Sequence, residues 1–179
     1  MDGHDHGLRV GEVVELEAAF DARLDQLRTQ GRALPGAREA VAAVAELPGV
    51  VQSVLTGTIR PNAAAKLRAF GMDAFFDFEI GGYGSEVYPM GAQLLRSRGR
   101  VAEKYGGEIA TNPAVYLGDS TRDVEAARTG GARSVAVASG RSTAGELREA
   151  GADFVLDDLA DTDAVVTAVH RLTSAVSAG

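Results

Sequence analysis

The feature that most constrains this chain is a repeated alternation. From Gly49 onward, short apolar runs bounded by glycine are followed by segments with helical periodicity. "VVQSVLT", "FFDFEIGG", "AVYLG", "SVAVASG" and "DFVL" read as strands, being short and rich in β-branched or aromatic residues. Between them the sequence predicts helices from Pro61 to Gly71, over Met90 to Lys104 and over Thr121 to Thr129. Another starts at the Thr143/Glu146 capping-box pair and ends before Gly151, and a last one runs from Asp161 to about Ala175. Strands that are apolar on both sides leave neither face to water. Alternating with helices, they predict an α/β fold: a parallel, Rossmann-like sheet with helices on both faces.

Two helices precede this pattern. Val13, Leu16, Phe20, Leu24 and Leu27 recur at spacings of three and four, which predicts a helix over Gly11 to Gln30. Pro35-Gly36 breaks it, and Ala37, Ala40, Val41, Val44 and Leu47 line one face of a second helix closed by Pro48-Gly49. The expected organisation is therefore a helical segment over 1–34 and an α/β core over 35–179. At 179 residues and 45% hydrophobic, the chain has the size and apolar content of one ordinary core.

A net charge of −7 argues against a general nucleic-acid binder but not against a bound divalent cation. There is no cysteine, which excludes disulfides, zinc–thiolate sites and thiol nucleophiles. "MDGHDHGLRV" has neither the basic start nor the apolar run of a signal peptide. No window approaches the roughly 18 apolar residues of a membrane helix. The reading is a cytoplasmic protein with no membrane partner.

In open α/β sheets, ligands bind at the carboxyl ends of the strands. "LTGTIRP" places the Thr56 hydroxyl and the amides of Gly57 and Thr58 before a helix opened by Pro61, a setting for phosphate or for a plain strand-to-helix turn. "GDSTRD" sets Asp119 at a strand end and Asp123 in the first turn of a helix. Two carboxylates with waters and a phosphate suit Mg²⁺, and the same residues suit helix capping. His4 and His6 lie at the amino terminus and His170 on the last helix, positions read as a tail and a surface. Arg96, Arg98 and Arg100 belong to a basic run that reads as a solvated helix face.

Taken in order, "VVQSVLTG", "VYLGDSTRDVEAARTGGA" and "VAVASGRSTAGELREAGADFVLDDLAD" resemble the haloacid dehalogenase (HAD) superfamily, in its phosphoglycolate-phosphatase-like branch. The resemblance spans roughly Leu34 to Val169. It implies Mg²⁺-dependent hydrolysis of a phosphate monoester, on a small phosphorylated metabolite, through an aspartyl-phosphate. By position, Thr56 and the backbone of Gly57 would hold phosphate, Asp119 would bind Mg²⁺, and Asp123 would support it directly or through water.

Two departures accompany the resemblance. The family's opening strand and Asp-x-Asp-Gly-Thr motif have no counterpart before these segments. "MDGHDHG" offers only Met-Asp-Gly, with His4 at the threonine position. No catalytic nucleophile is identifiable, so the expected core is incomplete at its amino end. The Gly11–Gln30 helix is expected to be a remnant of a helical cap, with Met1 inside the cap region of a longer ancestor. The family's Lys or Arg is also missing where Tyr88 or Met90 stands, with Arg96, Arg98 or Arg100 as possible substitutes. The expectation is a chain inactive as it stands, or alternatively a non-catalytic binding module. Its Thr56 and Asp119 strands would have open edges that allow self-association.

Overall fold

The computed structural model describes residues 24–84, 89–106 and 113–174. The chain divides into two units, with the boundary between Arg32 and Ala33. In the first, residues 24–30 are helical, the end of the first predicted helix. Its earlier part, with His4 and His6, lies outside the described residues, as does Tyr88.

The second unit follows the predicted alternation. Helix α1 (Ala37–Ala45) leads to β1 (Leu55–Thr56), α2 (Arg60–Ala69), β2 (Gly82–Tyr83) and α3 (Met90–Tyr105). Then come β3 (Val115–Gly118), α4 (Thr121–Thr129), β4 (Arg133–Val137), α5 (Ala144–Glu149), β5 (Phe154–Leu156) and α6 (Thr162–Ser174). Helix starts are set locally. Pro61 opens α2. Thr143 and Glu146 form the predicted capping box of α5, the Thr143 amide donating to Glu146 at 2.8 Å. Asp161 accepts from the Ala164 amide at the head of α6.

All strand pairs are parallel. Leu55 lies opposite Gly82, Val115 opposite Arg133, and Val137 opposite Leu156. The ladder is in two parts, β1-β2 and β3-β4-β5, and among the described residues no strand joins β1 to β3. Helices tie the parts together, with α3 packing on β1, β2 and α4, while α6 packs on α1, β3, β4 and β5.

Strand β4 shows why the sheet needs cover on both faces, since Ser134 to Val137 are all buried. Val137 joins Ala40 and Val44 of α1 and Val165 and Val169 of α6. Its neighbour Ala136 points the other way, to Val124 of α4 and to Leu147 of α5, which is 0% exposed. No described helix is long and apolar enough to cross a membrane.

The first two strands are shorter than predicted. "VVQSVLT" contributes only Leu55 and Thr56 to the ladder, although the Asp77 amide donates to the Gln52 carbonyl at 2.8 Å and the Gly82 amide to Val54 at 2.9 Å. "FFDFEIGG" departs further. A 3-10 turn covers Asp73–Phe75, and the Asp77 carboxylate accepts from the Glu79 amide at 2.9 Å. That aspartate turn diverts the chain until Gly82, overriding the β preference of the aromatics.

Asp77 also accepts from the Tyr105 hydroxyl at 2.6 Å and pairs with Lys104 at 2.8 Å, fastening the turn to the end of α3. Burial opposes its charge, but bonds from Lys104, Tyr105 and the Glu79 amide outweigh it and lower the carboxyl from 3.8 to about 2. Because the folded value is depressed, this support is complete above the unfolded value and is lost as pH falls toward about 2. Urea denaturation at about pH 5 and about pH 2.5 is expected to reveal a smaller acid loss in Asp77→Asn than in the parent. Equal losses in the two proteins would count against the clamp.

Candidate functional site

The two loops singled out in the sequence both leave carboxyl ends of strands. After β1, the Thr58 amide donates to the Thr56 hydroxyl oxygen at 3.2 Å, curling the turn around Gly57. Gly57 is exposed, and a Cβ there would meet nothing within 4 Å. The loop is braced from β2, where the Gly84 amide donates to the Thr58 carbonyl at 3.0 Å. A Cβ on Gly84 would collide with the Gly57 carbonyl, so the two backbones touch only because residue 84 is glycine. Ile59 is the N-cap of α2 and provides no side-chain cap.

After β3, the two aspartates divide their work. Asp123 and Ser120 form a capping box. One Asp123 oxygen accepts from the Asp119 amide at 3.1 Å, the Ser120 amide at 3.0 Å and the Ser120 hydroxyl at 2.7 Å. The other accepts from the Tyr116 hydroxyl at 3.0 Å. Burial, and then the Asp123 charge, push the Tyr116 phenol far above the ordinary tyrosine range, so it remains a donor. Gly118 makes room for this arrangement, because a Cβ there would run into the Asp123 side chain. Asp119, by contrast, is exposed and its carboxylate has no hydrogen bond or ion pair among the described residues.

The donor set fits magnesium in a restricted sense. Asp119 offers unengaged hard oxygen, and Asp123, with four protein donors, keeps little capacity beyond one lone pair for a metal-bound water. Among the described residues no group of three or more His, Cys, Asp or Glu is placed to hold a metal ion.

The cations proposed as substitutes are turned elsewhere. Arg98 donates to the Gly131 carbonyl at 2.6 Å and Arg100 to the Gly81 carbonyl. Gly131 precedes β4 and Gly81 precedes β2, whereas Thr56 and Asp119 lie at the opposite ends of their strands. Arg96 is exposed on the same helix, Met90 is the first residue of α3, and His170 is exposed on α6 beside Ser174. The carboxyl edge instead carries Arg60, Arg122 and Arg141, all exposed, each four residues past the end of its strand. In the sequence they are scattered along the chain. Their common offset from β1, β3 and β4 is the signal that unites them.

A parallel α/β core with a hydroxyl–glycine turn and an acidic loop at its carboxyl edge is an arrangement suited to phosphate together with a cation. A sequence profile of the HAD-hydrolase-like family matches residues 94–162. The phosphoglycolate phosphatase of Pectobacterium atrosepticum is 29% identical over 151 residues, which cover 83% of this chain and 62% of that protein. Among solved structures, CbbY from Rhodobacter sphaeroides in complex with phosphate superposes with a TM-score of 0.57 at 26% identity, covering 93% of this chain and 72% of that one. A haloacid dehalogenase-like protein of unknown function from Agrobacterium tumefaciens gives 0.56 at 20% identity, covering 93% and 73%. Over these stretches the chain is similar to proteins of the haloacid dehalogenase superfamily, and it spans 62% of the length of the phosphatase it matches.

Proposed function

We propose that this chain carries the phosphate- and magnesium-binding half of a HAD-type phosphatase site for a small phosphorylated metabolite in the cytoplasm. The observation that carries this reading is the exposed Asp119 carboxylate, bonded to none of the described residues and held on a loop that Tyr116, Ser120 and Asp123 lock in place. The Thr56 hydroxyl and the amides of Gly57 and Thr58 would bind phosphoryl oxygens. Asp119 would hold Mg²⁺, with Asp123 behind it. The ion, when bound, would neutralise phosphoryl charge. Arg60, Arg122 and Arg141 would draw an anionic substrate to the same edge.

In this reading the nucleophilic aspartate belongs on a strand between β1 and β3, and no described residue supplies it. The chain is then expected to bind Mg²⁺ and phosphate without turnover. The edges of β1 and β3, which no described strand joins, also favour a second reading, a non-catalytic module that self-associates or binds a partner through them.

Titrating the ¹⁵N-labelled chain with Mg²⁺ and then inorganic phosphate tests the site. Amide shifts are expected at residues 56–58 and 118–123, with no hydrolysis of p-nitrophenyl phosphate. Shifts elsewhere, or none, would refute the site. Mg²⁺-dependent turnover that disappears in Asp119→Asn would refute both the missing nucleophile and the non-catalytic reading.

A further inference from the structure

We infer that Gly140, in the loop after β4, is a positioning residue for Asp119. The inference rests on the reading of Asp119 as the metal-binding carboxylate, and it adds a residue on a different element on which that carboxylate depends. A Cβ built on Gly140 would fall on the Asp119 side chain, overlapping its carboxyl group and lying 2.5 Å from its Cβ. No side chain other than hydrogen fits there while Asp119 keeps its place.

The usual reasons for a glycine do not apply. Gly140 is not among the glycines with positive φ, so its backbone is open to any residue. It is exposed, so close core packing does not demand it either. What remains is the contact itself.

The surrounding bonds decide what yields when that contact is made too tight. The Asp123 carboxylate holds the amides of Asp119 and Ser120 at 3.1 and 3.0 Å. The Thr121 amide donates to the Ser142 hydroxyl oxygen at 3.3 Å, linking the acidic loop to the loop of Gly140. With both backbones tethered, a methyl group at 140 presses on the whole Asp119 side chain: the carboxylate, bonded to no described residue, can swing aside, whereas its Cβ, 2.5 Å away, moves only with the acidic loop. Gly145, by contrast, lies in the next helix, and a Cβ there would meet only the Thr143 hydroxyl at 3.9 Å.

The test measures Mg²⁺ affinity and thermal stability of the full chain. Gly140→Ala is expected to weaken Mg²⁺ binding roughly tenfold to a hundredfold, the range for loss of a residue that orients a metal ligand. Gly145→Ala is expected to bind Mg²⁺ as the parent does. The metal-free arm is a double-mutant cycle: any melting-temperature loss from Gly140→Ala is expected to vanish in an Asp119→Gly background. Additive losses, or parental Mg²⁺ affinity in Gly140→Ala, would overturn the inference. If the parent itself does not respond to Mg²⁺, the metal reading fails and Gly140 has no ligand to position, even if the cycle still reports the contact. If Gly140→Ala alone does not fold, recovery of folding in the double variant supports the contact and its absence refutes it.

Discussion

Asp119→Asn is expected to remove the Mg²⁺ response of the 118–123 loop, with a loss of affinity above roughly a hundredfold. That exceeds the loss when only a residue behind the ligand is changed. The same substitution is expected to leave stability within about 0.5 kcal/mol of the parent, as for a surface change away from any structural contact. The Asp119 side chain is exposed and has no partner among the described residues, and the bond from residue 119 to Asp123 uses the backbone amide, which asparagine keeps. Asp123→Ala is expected to show the opposite balance. It removes the acceptor of four donors, dissolves the capping box of α4 and leaves the half-buried Tyr116 hydroxyl without its partner. Loss of a cap together with an unpaired hydroxyl costs about 2 kcal/mol. Urea denaturation and Mg²⁺ titration of both variants check this. Equal effects of the two substitutions on stability would show that the division between a ligand and a clamp is mistaken.

What the sequence made legible was whatever neighbouring residues decide. The order of strands and helices in the core, the capping box at Thr143 and the helix over Thr121 to Thr129 depend on periodicity and on residues three or four apart. The candidate loops followed from the rule that ligands lie at carboxyl ends of strands. Two kinds of feature were hidden. One is competition within a segment: "FFDFEIGG" has the aromatics of a strand, but Asp77 captures the Glu79 amide and turns the chain. The other is contact between distant segments. Nothing near Gly140 in the sequence says that it lies against Asp119, and nothing near Arg98 says that it reaches Gly131. The aspartate pair shows both kinds at once. Its spacing announced a helix start and an acidic site, but only the position of Tyr116 on β3 shows which carboxylate is spoken for.

Gly36→Ala is expected to be the most damaging single methyl addition in the α/β core, costing at least about 3 kcal/mol. Two effects combine there. Gly36 has φ of 73°, a left-handed conformation that costs other residues roughly 1–2 kcal/mol. Its Cβ would also collide with the Leu159 carbonyl and lie 2.6 Å from the Ala160 Cα, both backbone and neither able to swing aside. Relief requires α1 to draw away from Leu159. Leu159 belongs to the same buried cluster as Ala40, Val44, Val165 and Val169, so that movement opens the packing of α1 on α6. Gly49 separates the two effects. Its φ is 72°, nearly the same, but a Cβ there would meet nothing within 4 Å. Gly49→Ala is therefore expected to cost only the conformational share, roughly 1–2 kcal/mol. Urea denaturation of both variants gives the difference between them, which measures how tightly the start of α1 is seated on the Leu159 backbone. If the two variants lose the same stability, the close approach at Gly36 contributes nothing beyond its backbone angle.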